Sequence, residues 1–422
     1  MSKDFRRHDV RNFTGMAKTR PIAAVLVAVL AAPAGAHHKQ TPPVVPFVTP
    51  GGTPLPRLAS QNEKTFSLAV PSGSGTQIIT ILPYIAPTVQ LLAGNIGNNE
   101  NPVVAGSGTE VVWDTTDDPL HLGLPGHQLV MSQRGSLTLT ALTKDPTGTA
   151  SNPAIDVLGR NIAFESTGDL ANTGNAGARQ IFVLQQQVGP FQQPGGTIVQ
   201  LSSGAGTSRN ATISAKKSLI AYESTSDPTT GADTGISQIW LGVLPPGPKP
   251  TRITSGAGPS FNAALSDNGG LVAFESTADL AGTGADTGVS QIFVYDPKNK
   301  DFARITNDAG GCHQPGVSKV FQDFRVTFVC SGEAYFYMMA ADLRFHVQLG
   351  GVTQRVLGEM GVHFIMVSSV GDPSGGTTPY NQVYLVNLFK RPAQPDLTHA
   401  TAVWFPARGI PSNPRGCAPG VC

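Results

Sequence analysis

The sequence predicts an all-β fold, a single six-bladed β-propeller of four-stranded antiparallel blades, on three observations. These are an internal repeat of about 50 residues, a composition rich in turn formers, and no run of helical periodicity. Glycine (48) and proline (34) are abundant, charged residues make up only 14% and apolar residues 40%. That mixture suits many short strands joined by tight turns. A length of 422 residues lies within reach of one closed all-β unit.

The repeat sets the blade. Residues 152–169 match residues 210–227 and 262–279, and each copy runs on to a Gln-Ile-aromatic strand at Gln180, Gln238 or Gln291. A more divergent copy at 101–118, with Trp113-Asp114 in the Phe-Glu place, leads to Gln128, and another around Val367 leads to Gln382. A fifth unit lies between, from Gln314 through Phe328-Val329 to Tyr335. The anchors Trp113, Phe164, Tyr222, Phe274, Phe328 and Val367 are spaced by 51, 58, 52, 54 and 39 residues, and six anchors give six blades.

Within a unit, the stretch starting at Asn262 is a first strand, Asp267-Asn268-Gly269-Gly270 a turn, and Leu271 to Glu275 a second strand pairing back on the first. A polar Gly/Asp loop follows, then a third strand from Gln291, a turn over 296–300, and an outermost strand around Ala303. One blade cannot bury both of its faces, so alternating side chains such as Ile162 and Phe164 against Ala163 must pack between neighbouring blades.

This unit, with its Asp-Asn-Gly-Gly turn, Leu-Val-Ala-Phe-Glu-Ser strand, Gln-Ile-Phe-Val-Tyr strand and Arg-Ile-Thr edge, resembles the repeat of the TolB-like (WD40-like) β-propellers. The resemblance covers roughly residues 88–390 and implies a module that acts by binding. TolB itself carries an additional α/β domain, for which the proline-rich residues 37–87 show no helical period. Propeller peptidases carry an α/β-hydrolase domain, but the sequence has no Gly-x-Ser-x-Gly elbow.

Residues 1–36 read as an export signal: Lys18 and Arg20 precede the apolar run Ile22 to Ala32, and Ala34-Gly35-Ala36 is a cleavage site. Met16 is an alternative start. The expected division is a signal peptide (1–36), a proline-stiffened segment (37–87), the propeller (88–390) and a C-terminal tail (391–422). No later stretch is long and apolar enough to span a bilayer, so a periplasmic or secreted, monomeric protein is expected. A net charge of +1 provides no field for nucleic acid.

Candidate site residues come from the columns of the repeat. Asp114, Glu165, Glu223 and Glu275 end the second strands, where they either converge as a cation-binding ring or accept hydrogen bonds from the adjoining blade. Asp118, Asp169, Asp227, Asp279 and Asp372 open the following loops, where aspartate caps turns. With Asp286 they also form the candidate calcium set, although Gln291 stands where a further acid would complete it. The amides Asn101, Asn152, Asn210, Asn262 and Gln314 precede the innermost strands, placed either to meet a ligand or to satisfy backbone between blades. His37-His38 would begin the mature chain, where an N-terminal histidine can chelate copper. The remaining histidines are scattered without ligand spacing, and no nucleophilic triad is visible.

These readings give three functional expectations. The first is a non-enzymatic binding or scaffold propeller, without a cofactor, engaging a protein or small ligand of the cell envelope through its rim loops or channel. The second is a metal-dependent, lactonase-like hydrolase or lyase with a cation on the axis. The third is a calcium-stiffened surface protein. The glutamates discriminate: pointing into the channel with the asparagines favours the enzyme, lying between blades favours binding.

Four cysteines in an exported chain predict two disulfides. The register of Asn262 against Glu275, transferred to Gln314 and Val329, places Cys312 opposite Cys330, leaving Cys417 to Cys422. Finally, Thr88-Val-Gln-Leu matches an outermost strand that has no preceding blade, so residues 88–92 are expected to close the ring beside Gln382 to Val386.

Overall fold

The computed structural model describes residues 58–59, 65–72, 75–82 and 88–91, most of 97–340, and 343–348, 352–357, 363–368, 382–387 and 401–406. Every regular element among them is a β-strand. The strands fall into seven antiparallel sheets.

The first sheet holds β1 (Leu58–Ala59), β2 (Phe66–Ser72), β3 (Gly75–Leu82) and β4 (Thr88–Leu91). The second holds β5 (Asn99–Val104), β6 (Glu110–Thr115), β7 (Gln128–Gln133) and β8 (Leu139–Ala141). The third runs β9 (Ala150–Ile155), β10 (Asn161–Ser166), β11 (Gln180–Gln186), β12 (Gly196–Gln200). The fourth runs β13 (Ser208–Ile213), β14 (Leu219–Ser226), β15 (Asp233–Val243), β16 (Thr251–Arg252). The fifth runs β17 (Ser260–Leu265), β18 (Val272–Ser276), β19 (Gln291–Asp296), β20 (Asp301–Arg304). The sixth contains β21 (Cys312–Val320), β22 (Asp323–Cys330), β23 (Glu333–Met338) and β24 (Leu343–Gln348). The seventh contains β25 (Val352–Leu357), β26 (His363–Ser368) and β27 (Gln382–Asn387), while β28 (Thr401–Pro406) adds to the outer edge of β24.

First strands lie side by side around a ring, β1 to β5, β5 to β9, β9 to β13, β13 to β17, β17 to β21 and β21 to β25, and β25 returns to β1. The six units counted from the anchors each fold as a sheet of their own, and a further sheet stands before them. Two expectations are therefore corrected. Residues 58–82, read as part of the proline-rich N-terminal segment, form three strands, and 88–91 do not pair with the last sheet. Instead Thr88 to Leu91 pairs with β3, from Leu82↔Thr88 to Ile79↔Leu91. A partner six residues away closes a far smaller loop than one at the other end of the chain. Part of the expected tail also forms strand, since β28 pairs with β24.

The core lies between sheets. Phe164 is directly opposite Phe182, Tyr222 opposite Trp240, Phe274 opposite Phe293 and Phe328 opposite Tyr335, each pair stacked at 5.5 to 6.2 Å between ring centroids. Ile162 and Phe164 pack with Val112 and Leu129 of the preceding sheet, whereas Ala163 packs with Ile220 and Tyr222 of the following one. The strand period of two thus divides each second strand between two neighbours. Cys312 and Cys330 are paired across the β21–β22 rung and joined as a disulfide, with Cα atoms 4.3 Å apart. Cys417 and Cys422 lie outside the described residues.

Candidate functional site

The recurring amides mark a β-bulge. Pairing between first and second strands shifts at Asn101, Asn152, Asn210, Asn262 and Gln314. All five take positive φ, between 49° and 55°. Asparagine tolerates this left-handed conformation better than other side-chain-bearing residues. The bulge turns both the backbone N–H and the side-chain amide of one residue toward carboxylates.

Each second-strand acid gathers donors from two blades. Glu223 accepts from Asn210 Nδ2 of its own blade (2.8 Å), from the Asn262 backbone N–H of the next (2.7 Å) and from Arg209 Nε (3.0 Å). Asn152 Nδ2, the Asn210 N–H (2.8 Å) and Arg179 Nη1 (2.8 Å) hold Glu165. Asp114 accepts from Asn101 Nδ2 (2.9 Å), the Asn152 N–H (3.2 Å) and His127 Nδ1 (2.9 Å). Glu275 accepts from Asn262 Nδ2 (2.8 Å), the Gln314 N–H (2.6 Å), His313 Nδ1 (2.9 Å) and Ser290 Oγ (3.1 Å). In the sixth sheet Val329 stands in the acid's place and the chain of clusters stops.

The acids lie between blades. Their side chains are at most 3% exposed, whereas those of Arg179, Arg209 and His313 are 44%, 54% and 52% exposed and that of His127 is 28% exposed. Burial pushes the Glu223 carboxyl above its ordinary range, opposed by the hydrogen bonds of Asn210 and Asn262 and by the Arg209 charge. The hydrogen bond to Asp114 raises His127, against the effect of its own burial. Asn152 Nδ2 also reaches Asn210 Oδ1 (3.1 Å), linking neighbouring clusters along the inner ring.

The recurring glutamines form a second bracket. Gln180 Oε1 accepts from Ser202 Oγ (2.6 Å) and Ser208 Oγ (3.2 Å), while its Nε2 donates to the Gly204 and Gly206 carbonyls. Gln238 and Gln291 make the same reach to Thr254 and Thr306 and to the loops entering the next blade. Buried amides thereby satisfy the crossing backbone.

The loop aspartates act locally. Hydrogen bonds from the N–H groups of Gly123 and Leu122 to Asp118, of Thr173 and Gly174 to Asp169, and of Thr230 and Thr229 to Asp227 hold these carboxyls below the usual range. Asp279 opens the equivalent loop after β18, and Asp286, Asp372, His37 and His38 lie outside the described residues. Among the described residues no three His, Cys, Asp or Glu side chains gather as a metal-holding group.

The sequence reading missed the arginine and histidine partners of these acids, which occupy two different columns of the repeat. A signal was present all the same: His127, Arg179, Arg209 and His313 each immediately precede a recurring amide, Gln128, Gln180, Asn210 or Gln314.

No family model matches the chain, and no curated protein sequence matches it. Solved β-propellers share its fold. An oligogalacturonate lyase in complex with manganese is 9% identical over 81% of this chain and 90% of that one, with a TM-score of 0.56. The β-propeller domain of the Trilobed protease from Pyrococcus furiosus is 8% identical over 79% and 95%, with a TM-score of 0.53. TolB from Acinetobacter baumannii is 9% identical over 78% and 65%, with a TM-score of 0.44. At these identities the likeness is one of fold: the chain folds as a β-propeller of antiparallel sheets.

Proposed function

We propose that this chain is an exported binding propeller that engages a partner or ligand of the cell envelope at the rim carrying the acid–amide clusters. The observation that carries this reading is that each second-strand acid is buried and accepts hydrogen bonds from at least three donors of two adjacent blades. A carboxylate so engaged joins blades and is poorly placed to act as a base or a cation ligand. What this rim presents outward instead is a set of partly exposed arginine and histidine side chains and the loops after the second strands. The disulfide of the sixth sheet supports an oxidising compartment.

Affinity capture from the envelope fraction tests the reading, using the wild type and a variant with Arg179→Ala and Arg209→Ala. Retention of one stoichiometric partner by the wild type and its loss in the variant is expected. Equal retention by both, or none by either, would remove the support for this rim. Elemental analysis separates the metal-dependent readings: one equivalent of calcium or a transition metal surviving dialysis would favour them.

A further inference from the structure

We infer that the sector of the inner rim formed by Arg209, Phe261 and His313 binds a ligand through its carboxylate groups; this rests on the binding reading above and specifies its ligand chemistry. The three residues hold one register position on consecutive first strands, Arg209↔Glu223, Phe261↔Glu275 and His313↔Val329. Because β13, β17 and β21 lie side by side in the inner ring, they form a row. Earlier in the same row stand Glu100, opposite Asp114, and Ser151, opposite Glu165, so the row passes from acidic to basic around the ring.

Each of the Arg209 and His313 side chains is anchored by one nitrogen. Arg209 donates Nε to Glu223 and His313 donates Nδ1 to Glu275, while the rest of each side chain is about half exposed to solvent. The partner carboxylates are 1% and 0% exposed, so an incoming anion meets the free N–H groups of the Arg209 guanidinium rather than the acids behind them. The free edge of a guanidinium matches a carboxylate in a bidentate geometry that an ammonium cannot reproduce. Partly buried Phe261 stands between Arg209 and His313 in this row and offers an apolar ring to the carbon skeleton of the ligand.

A second observation points to the same place. Ser237 occupies the position before the recurring glutamine from which His127, Arg179 and Ser290 each reach an acid. Its Oγ is buried and has no hydrogen-bond partner. Native structures leave few such groups unsatisfied, and this one lies in the same sheet as Arg209.

Calorimetric titration of the full mature chain with citrate and with a hexaglutamate peptide tests the inference, with sulfate and hexalysine as controls. Binding of citrate alone identifies a small acid as the ligand class, and tighter binding of hexaglutamate identifies an acidic protein segment; either supports carboxylate recognition. Arg209→Lys, which keeps the charge beside Glu223 and loses the fork, should weaken binding about tenfold. Phe261→Leu, which touches no cluster hydrogen bond, should weaken it about threefold. Absence of heat with both acids, equal binding of sulfate, or unchanged affinity in both variants would overturn the inference. Should the acids fail while envelope capture still depends on Arg179 and Arg209, carboxylate recognition falls and the binding reading stands; failure of both removes both.

Discussion

Replacing the Cys312–Cys330 disulfide tests whether the repeat dictates chemistry rung by rung. The cysteines hold the register position of Ser208↔Ser224 and Ser260↔Ser276 in the two preceding blades, where the hydroxyls hydrogen-bond at 2.9 and 3.0 Å. The covalent link spans a sequence separation of 18, for which the chain-entropy model gives about 3 kcal/mol. In a Cys312→Ser/Cys330→Ser variant the serines can form the rung seen in the neighbours, returning about 1 kcal/mol. The net loss is then about 2 kcal/mol for the double serine and about 3 kcal/mol for the double alanine. Equilibrium urea unfolding of the three proteins measures these values. The order matters most, because cysteine buried in an apolar setting normally tolerates alanine better than serine. A double alanine as stable as the double serine, or more so, would refute the equivalence of the rungs.

Further expectations follow from single features. Asn210 combines φ of +52° with a side-chain hydrogen bond to Glu223, so Asn210→Ala should cost about 2 kcal/mol and Asn210→Gly about 1 kcal/mol by urea unfolding. His127 is raised above its ordinary value of 6.5, chiefly by the hydrogen bond to Asp114. Its contribution to stability is therefore complete below the unfolded value and lost as pH rises through the folded one. Melting temperature should fall across neutral pH, and His127→Gln should flatten that step. A chain starting at residue 57 retains every described strand and should melt with the full mature protein, whereas one starting at 88 loses β1 to β3 and should not fold.

Much of the fold was legible because the repeat is carried by large residues. Phe164, Tyr222, Phe274 and Phe328 each face an aromatic partner, and the strands that carry them are buried along nearly their whole length. The first sheet was not legible for a physical reason. Its described buried positions are Thr65, Ser67, Ala69, Thr76, Ile78 and Thr80, mostly small residues with none of the large anchors that mark the repeat. The acids and amides of the site were visible as columns, but their geometry was not. A bulge at positive φ lets one asparagine serve two carboxylates, and no single column of the repeat records a contact between neighbouring blades.

The unfolding free energy of Glu223→Ala tests the central claim, that the recurring acids join blades, most directly. Removing this carboxylate leaves the Asn210 amide and the Asn262 N–H without their acceptor, while half-exposed Arg209 turns to water. Two stranded donors at a blade junction correspond to a loss of about 3 kcal/mol. A loss of that size in a protein that still folds is the expected result; unchanged stability would show that Glu223 is held in place for something other than the fold, and would contradict the account.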